Sequence, residues 1–147
     1  MSAAIRVLAL AVIRRGDELL VEDGEDPVKG EHYVRLLGGG IDFGERGEDA
    51  VRRELHEEIG VELTHVRYLG AVENLFTFLG NPHHEVCFLY DARFADESLY
   101  EHQTFSGVDH VDGAQVPLRA RWVRRDSIDG DCPLYPDGAL ELIESTS

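Results

Sequence analysis

The sequence predicts an α/β domain with helices packed on a mixed β-sheet. Strand-like apolar segments recur along the chain. Only two segments carry helical periodicity, and the longer follows a glycine-rich bend. The length, 147 residues, suits one domain with a core and is short for two, so residues 1–147 are read as a single domain.

Residues 5–14 are almost continuously apolar, as expected for a strand buried on both faces. Arg15-Gly16-Asp17 is a turn signal and residues 18–21 a second strand, so the chain opens with a hairpin. Residues 22–31 are acidic and hold Gly24, Pro27 and Gly30, which predicts an exposed loop. Residues 32–37 form another strand that ends at Gly38-Gly39-Gly40, and 41–43 add a brief extended piece. A helix is expected over 47–59, stopped at Gly60. Residues 61–78 and 85–94 flank the turn Gly80-Asn81-Pro82 and can pair as a long hairpin. Residues 95–117 are polar, weakly patterned and read as a long loop. A strand over 118–123 and a helix over 138–144 complete the chain.

Composition narrows the function. With 14 basic and 29 acidic residues the formal net charge is -15, and no Lys/Arg run forms a basic patch. Such a surface repels nucleic acid and anionic membranes, so neither is expected as a partner. It also repels an anionic substrate, and phosphate chemistry here would need a divalent cation. Cys87 and Cys132 are isolated and read as reduced thiols. The apolar run at 7–13 is too short for a membrane span and lacks a basic leader, so a cytoplasmic protein is expected.

The chemistry concentrates in the 47–59 helix. At about 100° per residue, Glu54, Glu57 and Glu58 share one side. Each pair of such like charges costs roughly a few tenths of a kcal/mol, and Mg²⁺ or Mn²⁺ would offset that cost. Gly47 and Ala50 on the same side suggest open space for a polyphosphate. Val51, Leu55 and Ile59 recur on the neighbouring face and can pack on the sheet. Arg53, four residues from both Asp49 and Glu57, can grip a carboxylate with its forked guanidinium.

These residues resemble the Nudix box, G-x5-E-x7-R-E-U-x-E-E-x-G-U with U aliphatic. Gly39, Glu45, Arg53, Glu54, Leu55, Glu57, Glu58, Gly60 and Val61 fill its nine specified positions without insertion. The resemblance implies an α/β/α sandwich that uses Mg²⁺ or Mn²⁺ to hydrolyse a nucleoside diphosphate linked to a moiety X. Nucleoside triphosphates, nucleotide sugars and dinucleotides all fit that description. It further implies Glu54, Glu57 and Glu58 as metal ligands and Glu57 or Glu58 as the base. Arg53 would orient a glutamate, and Gly39 and Glu45 would support the loop. A proline often precedes the glycine pair in the family, where this chain has Leu37.

A later acidic residue can join such a site, and Glu101, Asp109, Asp112, Glu85 and Glu73 are the candidates. For substrate contacts, Arg35 could reach phosphates, Phe105 could stack on a base, and Glu101 or Asp112 could add a carboxylate. Trp122 and Phe76 are read as core. The identity of X is expected to be set by residues 95–117 and 73–85. The competing reading is a Nudix-like sensor that binds a nucleotide or ADP-ribose without turnover. The partner expected is a small-molecule nucleotide, and the chain could form a homodimer.

Overall fold

The computed structural model describes residues 3–111 and 113–146. Nine strands and two α-helices follow in order: β1 (Ile5–Arg15), β2 (Glu18–Asp26), β3 (Glu31–Arg35), β4 (Leu37–Gly40), α1 (Gly47–Ile59), β5 (Leu63–Phe78), β6 (Asn81–Phe94), β7 (Thr104–Val111), β8 (Ala114–Arg124), β9 (Leu134–Tyr135) and α2 (Ala139–Ser145). The strands form one mixed sheet, and each of its faces carries a helix.

β1 shows why this arrangement follows from the sequence. Alternate side chains of a strand point to opposite faces. Ala9, Ala11 and Ile13 enter one core with Ala50, Val51 and Leu55 of α1. Leu8, Leu10 and Val12 enter the other with Ala139 and Ile143 of α2. The continuous apolar run is thus a central strand covered on both sides, in an α/β/α sandwich. Val51 and Leu55 are fully buried, each contributing roughly 2 kcal/mol of apolar burial. Gly60 at φ 70° closes α1, its N–H donating to the His56 carbonyl.

β6 runs parallel to β1 from His84 to Ala92, and β4 lies antiparallel on the other edge of β1. β2 touches β1 as a ladder partner at Leu19 and Glu18, then diverges to pair with β3 and β8. The two halves of the sheet therefore splay apart beyond the opening hairpin. The long hairpin expected around Gly80 is β5 and β6.

Two expected loops are strands. Residues 22–31 hold the outer half of β2 and the start of β3. Asp26 there is fully buried, because its carboxylate accepts from the N–H groups of Val28, Lys29 and Leu79. Acidic residues facing inward concealed the strand. Residues 95–117 contain the 3-10 turn Glu97–Glu101, then β7 and the start of β8, an antiparallel pair. Among the described residues β7 pairs only with β8, and small or polar residues dominate it, so apolar alternation was missing. β4 and β9 were also unforeseen, both being short.

Candidate functional site

The bend and helix are joined by Arg53. Its Nε and Nη2 donate to the two oxygens of Glu45 at 2.8 and 2.9 Å, and Nη2 also donates to the Gly40 carbonyl at 3.0 Å. Nη1 reaches Glu54 at 3.0 Å and Glu57 at 3.2 Å. The fork grips Glu45 in the loop, not Asp49 on the helix. This contact, with a bond from the Asp42 N–H, holds the Glu45 carboxyl down at about 2.

The glycines let the carboxylates in. A Cβ on Gly39 would stand 2.5 Å from the Glu54 carboxyl carbon. Gly38, at φ +142°, donates its N–H to Glu58 Oε1 at 3.1 Å. Gly107 lets β7 approach the last turn of α1, since a side chain there would strike the Glu58 carbonyl. Phe105, Gly107 and Asp109 alternate onto one face, so the close approach at Gly107 brings Asp109 to Glu58. On β2, Leu20 packs in the α1-side core, and Glu22, two residues on, continues that face.

Carboxylate oxygens of Glu22, Glu58 and Asp109 consequently lie within 4.8 Å of one another. Arg35 Nε meets Glu22 Oε1 at 3.0 Å, but the buried Glu22 Oε2 has no hydrogen-bond partner. Burial, with Glu22, Asp109 and Glu54 nearby, pushes Glu58 up to about 9. Burial raises Glu22 and Glu54 as well. An orphaned buried oxygen amid mutually repelling carboxylates fits a hard divalent cation with oxygen ligands.

The expected residues divide. Glu58 enters the cluster, and Glu54 adjoins it electrostatically. Glu57 stands outside it, half-exposed on Arg53. Of the later acids, Asp109 is brought in. Glu85 accepts from Arg6, and the exposed Glu73 faces His84. Glu101 is exposed on the 3-10 turn whose neighbouring carbonyls, at Tyr100 and His102, accept from Arg15; it does not join the cluster. Asp112 lies outside the described residues. Phe105 is buried among Phe94, His102 and Trp122, so it packs in the core and does not present a stacking face. Trp122 is core as expected, its Nε1 donating to the His102 carbonyl at 2.8 Å.

Three further readings change. Gly47 does not leave open space, because the Tyr90 hydroxyl fills the position of its missing side chain, and Ala50 is fully buried. Phe76 is partly exposed, stacked on His83 at 5.0 Å. Glu22 was missed because nothing local marks it. Only the i+2 step from Leu20 on a strand hidden by acidic composition could have found it. Burial pushes the Cys87 thiol up to about 12, which leaves it unreactive.

A cavity lies where the two halves of the sheet splay. Arg35 lines it and also pairs with Glu22, linking cavity and carboxylates. Residues 74, 76–78 and 85 form one wall. No helix among the described residues is long and apolar enough to cross a membrane.

The chain resembles known proteins in sequence and fold. The chain is 36% identical over 62 residues to an NAD-capped RNA hydrolase, NudC, of Pseudomonas putida, covering 42% of this chain and 22% of that protein. It is 42% identical over 45 residues to an RNA pyrophosphohydrolase of Pseudoalteromonas atlantica, covering 31% and 26%. It thus spans about a quarter of the length of these curated relatives. The crystal structure of a MutT NUDIX hydrolase from Burkholderia pseudomallei matches with a TM-score of 0.62 and 26% identity over 98% of this chain and 99% of that one. A NUDIX hydrolase from Nitrosomonas europaea shares the fold, with a TM-score of 0.64 at 21% identity over 97% and 88%. The NUDIX domain model matches residues 4–137, and the chain belongs to the NUDIX family.

Proposed function

We propose that this chain, as one catalytic domain, is a pyrophosphohydrolase that cleaves a nucleoside diphosphate linked to a moiety X with a divalent cation, Mg²⁺ or Mn²⁺. The observation that carries the proposal is the Glu22–Glu58–Asp109 cluster with its unpartnered buried oxygen. Glu58, Glu22 and Asp109 would hold the cation, with Glu54 beside them. When bound, it would lower the pKa of water and offset charge on the phosphoryl oxygens.

The chain's own residues supply the rest. Arg53 clamps the loop through Glu45 and the Gly40 carbonyl, so the glycine bend keeps its position over α1. Glu57, half-exposed and paired with Arg53, would accept a proton from attacking water. Arg35, between cluster and cavity, would meet a phosphate that spans them. Membership of a family whose relatives here are named as hydrolases supports turnover over mere binding.

The test is a panel of nucleoside triphosphates, nucleotide sugars and dinucleotides with Mg²⁺ or Mn²⁺, read by phosphate release after phosphatase coupling. Cation-dependent release from at least one compound, abolished by chelation, is the expected outcome. Release from none, with tight binding of one nucleotide, would replace the enzyme with a sensor.

A further inference from the structure

Asp26, Lys29 and Glu85 line the cavity between the splayed sheet halves, and two further polar groups there keep hydrogen-bonding capacity that the cluster chemistry does not use. Glu31 is one. Its Oε2 accepts from the Tyr135 hydroxyl at 2.9 Å, while Oε1, shut off from solvent, has no hydrogen-bond partner. Lys29 Nζ forms an ion pair with Oε1 at 3.6 Å, too long for a hydrogen bond. A buried acceptor without a donor is costly, which points to a donor from outside the chain. The end torsion of a glutamate is soft, so the carboxylate can turn toward an incoming group at little cost.

Asn74 is the other, 4% exposed and lining the same cavity. Its Oδ1 accepts from the Asp137 N–H at 3.3 Å, which leaves its NH₂ as a donor. The walls are aromatic. Tyr33 lies across Gly24, where any side chain would strike its ring, and its centroid is 5.2 Å from that of Tyr135. Phe76 and Phe78 line the cavity too.

We propose that this cavity is a base pocket selective for guanine, with Glu31 taking the N1–H and N2–H donors and Asn74 donating to O6. Two adjacent donors match a carboxylate. Adenine and cytosine each set a donor beside a bare ring nitrogen, whose lone pair would face a carboxylate oxygen. Uracil sets one N–H between two carbonyls. The proposal rests on the hydrolase reading only for the direction of the phosphates, which would run past Arg35.

The test is binding of GMP, AMP, CMP and UMP to the full chain without metal, followed by ¹H–¹⁵N NMR. GMP should bind at least 10-fold tighter than the others and shift the Asn74 side-chain amide signal. E31Q should lose about 10-fold or more in GMP affinity and gain AMP, since an amide matches a donor–acceptor edge. Equal binding of all four, or unchanged preference in E31Q, would overturn the assignment. If E31Q does not fold, the wild-type ranking decides by itself, and a GMP affinity within 2-fold of AMP sinks the pocket. Neither metal nor turnover is involved, so GMP preference without phosphate release would refute hydrolysis alone, and release without GMP preference would refute the pocket alone.

Discussion

Two carboxylates of the same loop–helix unit have opposite fates. Glu45 receives two donors from Arg53 and one from Asp42, and its carboxyl sits at about 2. Glu58 receives one N–H, from Gly38, lies buried beside Glu22 and Asp109, and sits at about 9. The protein completes the first site by itself. The second has more carboxylate oxygens than its own donors satisfy, and among the described residues Arg35 reaches it through Glu22. The difference separates a structural clamp from a binding site.

The largest effect should come from removing charge at the unsatisfied end. E58Q is expected to lower kcat by on the order of 10³-fold while leaving the metal-free chain at least as stable, because an amide needs less solvation than a buried carboxylate. Phosphate release and thermal melting check the two halves. A stability loss as large as the activity loss would make Glu58 structural. Next is the clamp. R53K keeps the charge but loses the fork, so both melting temperature and activity should fall, the latter by about 10²-fold as the loop shifts. An R53K enzyme with unchanged melting would remove the clamp from the comparison. G39A is expected to be milder, roughly 10-fold in activity, because its Cβ meets the end of the Glu54 side chain.

The smallest effect distinguishes the two carboxylates by pH. Glu45 is depressed in the folded state, so its contribution is present above the ordinary value of 4.5 and is lost as pH falls through about 2. Glu58 is raised, so its contribution is complete below 4.5 and is lost as pH rises through about 9. Denaturant melts of the metal-free chain should therefore show E58Q flattening the alkaline decline and E45Q flattening the acid one. The reverse assignment would break the comparison.

The two ends also differed in how far they were legible from sequence. Arg53, Glu45, Glu54 and Glu58 lie within one short stretch; helix periodicity was enough to group Arg53, Glu54 and Glu58, and the resemblance to the Nudix box added Glu45. Central strand β1 and the long β5–β6 hairpin were legible for a similar reason, being strongly patterned and local. Glu22 and Asp109 reach Glu58 only through tertiary structure, on strands β2 and β7 whose acidic or small residues look like loop. Phe105 looked like a free aromatic for the same reason, and its burial follows from the pairing of β7 with β8. Glu57 shares the face of Glu54 in helical projection, but it pairs with Arg53 and lies outside the cluster.

The measurement that bears most directly on the unsatisfied site is Mn²⁺ binding, followed by electron paramagnetic resonance, to wild type, E22Q and E57Q. Glu22 belongs to the tertiary cluster and Glu57 to the clamp. The expected result is one cation site in wild type that weakens about 10-fold or more in E22Q and changes less in E57Q. Unchanged Mn²⁺ affinity in E22Q, with loss in E57Q, would contradict the account and return the metal to the exposed face of the helix.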